Sequence, residues 1–185
     1  MQHYWQNVEG WFSEEDCMFY KLIIDRVTAP AHFVEIGCWK GKSSSYMAVE
    51  IINSGKDIQF DCVDTWNGDP NEVVHMADPD VANNRLFDVF VNNMKPVEGK
   101  YKAVRSDSVS AAANYADESL DFVFIDAAHD YDSVKADILA WFPKVKSGGI
   151  FSGHDYNHPP VKQAVHEMLT NVSDSGSGAW VMMKQ

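Results

Sequence analysis

"FVEIGCWKGKSSSYMAVEII", Phe33 to Ile52, changes period in its middle. It begins as a short apolar run, the pattern of a buried strand. It passes through two glycines and continues with apolar residues at helical spacing until Gly55. An acid, Glu35, stands just before Gly37, and three serines follow Gly41. Gly37 permits a tight turn, and Gly41 lets the backbone come close to a ligand and lets the helix pack. The corner matches neither common phosphate cradle. The dinucleotide fingerprint GxGxxG needs a middle glycine where Trp39 and Lys40 stand. The GxxxxGK[ST] loop needs one more residue between the glycines, although Lys42-Ser43 follows.

The flanking sequence repeats the alternation. "SEEDCMFYKLIIDRV" (13–27) opens with Ser13 and Asp16 spaced as a helix cap, with Met18, Leu22, Ile23 and Val27 as its apolar face. Strands are predicted at 32–37, 58–66, 101–108, 120–129, 149–156 and 179–184. Helices are predicted at 43–55, 108–116, 132–145 and 161–172. Strands alternating with helices imply βαβ units. The fold class is therefore α/β, a doubly wound, mostly parallel sheet with helices on both faces. Residues 67–99 interrupt the pattern, being polar and broken by Pro70, Pro79 and Pro96, with one helical stretch at 81–94. They read as an insertion over the sheet's C-terminal edge: a lid, a structural flap or an oligomer contact. The last strand, 179–184, either stands alone or completes its edge through a neighbouring chain.

Composition sets bounds. The 185 residues suit one domain, 1–185, able to bury roughly 70% of the surface its unfolded form exposes. Fifteen basic against 27 acidic residues give a net charge of −12, which repels phosphate backbones and argues against nucleic acid as a partner. The three cysteines, Cys17, Cys38 and Cys62, form no CxxC pair and fit a reducing compartment. No apolar run approaches the ~18 residues of a membrane span. The expectation is a cytoplasmic protein acting on a small molecule, away from membranes, with a homo-oligomer left open.

Ligands of open α/β sheets bind beyond the carboxyl ends of the strands, so the residues there carry the chemistry. Asp64 ends the second strand, where a carboxylate suits the two hydroxyls of a ribose. The fourth ends in Asp126, with His129 three residues on, and the fifth in His154-Asp155. Adjacent strand ends converge, so Asp126, His154 and Asp155 form a candidate cluster of oxygen and imidazole ligands for a divalent cation, or a hydrogen-bonded platform for a substrate. His129 is the candidate general base, with an unperturbed pKa near 6.5.

"VEIGCWKGKSS" (34–44), "FDCVDTW" (60–66), "LDFVFIDAAHDYDSVKADILAWFPKVKSGGIFSGHDY" (120–156) and "NVEGWF" (7–12) together resemble the class I S-adenosylmethionine-dependent methyltransferases. The likeness is strongest to the small branch of macrocin-type and cephalosporin-hydroxylase-like O-methyltransferases. It covers roughly residues 7–170 outside much of the insertion. The resemblance implies that Glu35 lies near the methionine amino group of S-adenosylmethionine. It implies that Gly37 and Gly41, with Ser43 and Ser44, frame the amino-acid tail, and that Asp64 holds the ribose. Trp66 would then pack near the adenosine, while Ser106, Asp107 and Ser108 face the adenine. His154 departs from the acid usual in the branch's metal triad, which leaves Mg²⁺, another divalent metal or no metal. The implied reaction is methyl transfer to a hydroxyl of a sugar, polyketide or catechol-like molecule, with Asp126 and His129 catalytic. Two other readings remain: a nicotinamide-dependent oxidoreductase on a similar sheet, and a protein that binds S-adenosylmethionine without catalysis.

Overall fold

A computed structural model describes residues 1–185. Seven strands form one sheet in the order β3-β2-β1-β4-β5-β7-β6. They are β1 (Ala31–Ile36), β2 (Ile58–Asp64), β3 (Lys102–Arg105), β4 (Leu120–Ile125), β5 (Val145–Gly153), β6 (Ser173–Asp174) and β7 (Trp180–Met183). The first five run parallel, and β7 pairs antiparallel with both β5 and β6. The helices are α1 (Glu14–Arg26), α2 (Lys42–Ser54), α3 (Val73–Ala77), α4 (Pro79–Ala82), α5 (Leu86–Met94), α6 (Ser108–Ala112), α7 (Tyr131–Trp141) and α8 (Pro159–Met168). This is the expected doubly wound sheet. The chain end differs from expectation: β7 neither stands alone nor needs a neighbouring chain. The serine- and glycine-rich turn after Ser173 folds it back on β6, and the short hairpin takes the sheet edge.

Side chains alternate across a strand, and here the two faces differ in kind. Phe33, Phe60, Phe122 and Phe124 point to the layer of α1, α2 and α5, whereas Val34, Ile36, Val63, Val123 and Ile125 point to that of α6, α7 and α8. The aromatic face explains a correction in α1. Met18 and Leu22, read as its apolar side, are 66% and 45% exposed, while Phe19, Tyr20, Ile23 and Ile24 are buried. Two apolar stripes compete on this helix. The rings win because Tyr20 meets Phe124 edge-on at 5.0 Å and Phe19 lies 6.1 Å from it.

The insertion divides in two. In its second half Leu86, Phe90, Met94 and Val97 are fully buried. Burying Phe90 alone is worth about 1.5–3 kcal/mol. This half is core, and the predicted single helix over 81–94 is shortened to α5 by a turn at Asn83–Arg85. The first half, 68–78, buries no residue and leaves Val73 and Val74 82% and 62% exposed.

Candidate active site

A cavity of about 820 Å³ opens at the carboxyl ends of β1, β2, β4 and β5. Among its walls are Gly37, Ser43, Asp64, Ser106, Asp107, Ser108, Asp126, His129, His154 and Asp155. Most residues expected at the site therefore share one cavity, within the ~300–1,000 Å³ range of small-molecule pockets.

One end is built from backbone. Asp64 Oδ2 accepts from the N–H groups of Cys38 (2.7 Å) and Trp39 (2.9 Å), and Oδ1 accepts from Trp66 N–H (2.7 Å). Three of the carboxylate's roughly four acceptor positions are thus used inside the protein. Burial pushes this carboxyl up in pKa, and the three donors oppose that. Asp64 fastens the loop after β1 and keeps one acceptor position unused. Gly37 (φ +87°) must be glycine, because a Cβ would lie 1.8 Å from the carbonyl oxygen of Asp126. Helix α2 starts at Lys42 behind Gly41, and Ser45 N–H bonds Gly41 O. Lys42 and Ser43, the first residues of this 13-residue helix, line the cavity, and the first N–H groups of a helix have no partner within it.

Four residues stand behind this wall and not in it. Glu35, 2% exposed, accepts hydrogen bonds from Tyr20 Oη (2.8 Å) and Ser44 Oγ, and burial holds its carboxyl above the usual range. Ser44 is fully buried by that bond. Trp66, 1% exposed, packs on Phe87 and Phe90 and donates from Nε1 to the carbonyl of Trp39 (2.9 Å). A Cβ at Gly41 would meet Phe90 and Met94 at 3.1–3.3 Å, so this glycine makes room for α5. The direct ligand contacts expected of Glu35, Gly41, Ser44 and Trp66 are not what their surroundings provide: each supports the loop from within the core.

The other end is built from charged side chains. Ligand atoms of Asp126, His154 and Asp155 lie within 4.8 Å of one another. His154 Nδ1 is 3.3 Å from Asp155 Oδ2 and 4.0 Å from Asp126 Oδ1. His129 bridges two carboxylates, Nε2 to Asp155 Oδ2 and Nδ1 to Glu72 Oε1, both at 3.0 Å. Burial raises Asp126 to about 7, with His154 opposing. For His154 burial works downward, but Asp155, Asp16 and Asp126 outweigh it and push the imidazole up to about 11. Burial of Asp155 is likewise outweighed by His129 and His154, which hold it far below the usual carboxylate range. His129 is raised to about 9, first by its bond to Asp155 and then, against burial, by Glu72. His129 is therefore not an unperturbed imidazole: the two flanking acids favour its charged form.

Sequence reading missed several wall residues. Glu72 comes from the insertion and gave no local signal. Asp137 is 5% exposed, lines the cavity, and is raised to about 6 by burial. Its signal was available, since it shares the buried face of α7 with Val134, Ile138 and Trp141. Trp39 stacks on His75 at 4.4 Å, and Trp11, 60% exposed, lies 5.4 Å from His75, so the rim between the N-terminal segment and the insertion is aromatic. Ser106, Asp107 and Ser108 line the cavity. Asp107 also caps α6 through Ser110 N–H (2.9 Å), and Ser108 Oγ accepts from Trp141 Nε1 (2.9 Å).

Known proteins agree with this architecture. The O-methyltransferase NovP superposes with a TM-score of 0.70 at 15% identity, covering 92% of this chain and 80% of that one. CalS11, a TDP-rhamnose 3'-O-methyltransferase of calicheamicin biosynthesis, gives 0.63 at 14%, covering 92% and 79%. An O-methyltransferase from Bacillus cereus, in complex with SAH, gives 0.60 at 16%, covering 96% and 84%. At these identities the likeness is one of fold. An uncharacterised protein of Sinorhizobium fredii, y4gI, is 26% identical over 159 residues, 82% of this chain; the chain spans only 14% of that relative's length. No helix is long and apolar enough to cross a membrane. The family model described as a methyltransferase domain matches residues 34–156, more than half of the chain and all of its strand-end cluster: the chain belongs to the methyltransferase-domain family.

Proposed function

We propose that this chain transfers a methyl group from S-adenosylmethionine to a hydroxyl of a small, uncharged acceptor. The observation that carries the reading is one cavity with two unlike ends. A loop of backbone amides and a helix N-terminus lies at one end, and an acid–imidazole cluster at the other. S-adenosylmethionine supplies a methyl already activated on a sulfonium. The chain's own work is to hold and align: α2 amides toward the amino-acid carboxylate, the free acceptor position of Asp64 toward a ribose hydroxyl, Ser106–Ser108 toward the base.

Asp126, His154 and Asp155 fit a divalent cation by donor type and spacing, two carboxylates and one imidazole with ligand atoms within 4.8 Å of one another. These residues would hold such a cation beside the acceptor hydroxyl, where its positive charge would lower the hydroxyl's pKa. His129 takes the hydroxyl proton once it has given up its own, and Glu72 with Asp155 orients its ring. The lining favours an uncharged acceptor. Asp64, Asp69, Glu72, Asp107, Asp126, Asp137 and Asp155 outnumber the basic groups of the lining, which are Lys42, donating to Gly10 O (3.0 Å), and imidazoles, those of His129 and His154 already paired with acids. Such walls repel a diphosphate, so the TDP-linked acceptor named for CalS11 is a poor match, and the aromatic rim favours a flat apolar body. Three free cysteines support an intracellular setting.

The test is calorimetry with S-adenosylhomocysteine, followed by methyl-transfer assays on uncharged catechols, polyphenols and glycosides, with and without chelator. We expect cofactor binding that chelator leaves nearly unchanged, and turnover that chelator abolishes. A chain that binds S-adenosylhomocysteine but methylates none of these acceptors is a binding protein instead. Turnover unaffected by chelator leaves the cluster as a hydrogen-bonded platform.

A further inference from the structure

An imidazole that ligates a metal through one nitrogen must carry its proton on the other, and a buried N–H needs an acceptor. In His154, Nδ1 faces Asp155 and Asp126. Nε2 points away from them, toward the start of α1, where it lies 3.3 Å from Asp16 Oδ1. Asp16 is 4% exposed. Its other oxygen is occupied: Oδ2 accepts from Ser13 N–H and from Ser13 Oγ, both at 2.8 Å, closing the capping box of α1. Asp16 Oδ1 and His154 Nε2 are both buried, and neither has a hydrogen bond of good geometry. They are two complementary orphans facing each other, and a small turn of the ring pairs them. The other neighbours of this edge do not compete. The Phe124 ring is 6.4 Å away, and Gly178 presents no side chain.

We propose that Asp16 is a positioning residue: its Oδ1 accepts the Nε2–H of His154, fixing the tautomer and ring orientation that present Nδ1 to a divalent cation shared with Asp126 and Asp155. The helix-capping acid thus serves two structures at once, one oxygen closing the helix and the other aiming a ligand. The inference rests on the metal-assisted reading above, and the nitrogen donor favours Mn²⁺ over Mg²⁺ at such a site.

The experiment is a Mn²⁺ titration, read by the paramagnetic resonance of free Mn²⁺, on the wild type, Asp16→Leu and Ser13→Ala. Asp16→Leu keeps the bulk but removes the acceptor, and should weaken Mn²⁺ by about 10–100-fold, the usual cost of losing such a partner. Ser13→Ala breaks the cap but leaves Oδ1 in place, so it should lower thermal stability and leave Mn²⁺ affinity as in the wild type. Wild-type affinity in Asp16→Leu overturns the proposal, and so does an equal loss in Ser13→Ala, which assigns the effect to the helix start. A second readout needs no variant. In wild type loaded with Zn²⁺, nitrogen NMR should show His154 protonated at Nε2 and metal-bound at Nδ1, and the opposite tautomer overturns the proposal. Wild type that binds no Mn²⁺ overturns the metal reading itself and this inference with it. S-adenosylhomocysteine calorimetry on the same samples shows separately whether the methyltransferase site is intact.

Discussion

Asp64 ends one parallel strand, Asp155 follows another, and both line the same cavity, yet their surroundings are opposite. Asp64 is held by three backbone N–H groups of its own loops, and no charged side chain bonds it. Asp155, in a left-handed conformation (φ +56°), meets two imidazoles, from His129 and His154. The first end is finished before any ligand arrives, since its donors and acceptors are nearly all spent on one another. The second end holds more charge than its own pairs settle, and its groups are displaced far from their ordinary titration ranges in opposing directions. A binding seat can be made of satisfied backbone, whereas proton transfer needs groups that exchange partners.

The sharpest way to break this contrast is Gly37→Val. The Cβ would overlap the Asp126 carbonyl at a positive φ, so we expect more than about 4 kcal/mol of lost stability or no folding at all, measured by denaturant midpoint. A stable Gly37→Val variant would mean that the two ends are not packed together as described. Next, His129→Ala should lower turnover by about 10²–10⁴-fold with cofactor affinity unchanged. Equal turnover would make the imidazole a structural bridge between Asp155 and Glu72. Smaller again, Asp64→Asn removes the charge from a three-donor acceptor and should cost about 1.5–3 kcal/mol, divided between melting temperature and cofactor affinity. A loss confined to affinity, with stability unchanged, would return Asp64 to a purely ligand-facing role.

The smallest effect concerns pH. His129 is raised in the folded state, so its pairs stabilise the fold fully below ~6.5 and lose that contribution as pH climbs through about 9. Its base form grows over that same rise. Without added metal, any turnover should therefore increase toward pH 9 while thermal stability declines. Glu72→Gln, by removing one of the two acids, should move the rising limb down by about one unit. A limb near 6.5 in the unaltered chain would show that the two acids do not hold the proton.

The sheet was legible because its signals are local and repeated: short apolar runs, glycine stops and capping boxes, each read within a window of a dozen residues. Asp64, Asp126, His129, His154 and Asp155 were legible for the related reason that strand ends converge. What stayed hidden depends on which side of a wall a residue faces. Glu35 and Trp66 sit at the right chain positions for a ligand, but Tyr20, Ser44 and Phe90 claim them, and those partners come from distant segments. Met18 and Leu22 misled because the choice between two apolar stripes was made by phenylalanines on β4. Glu72 and Asp16 reach the histidines only through tertiary contact.

The divided insertion has a kinetic consequence. Leu86, Phe90, Met94 and Val97 share a core with α2 and β2, so the amides of this half should be among the slowest of the insertion to exchange with solvent. Residues 68–78 bury nothing, yet they carry Glu72 and His75 to the cavity. That stretch is held by the Lys40–Asp78 ion pair (2.7 Å) and the stack of His75 on Trp39, not by core, so its opening would release one side of His129 without disturbing the phenylalanine layer. Hydrogen exchange should therefore divide this one loop into a slow piece beside the core and a fast piece beside the imidazole.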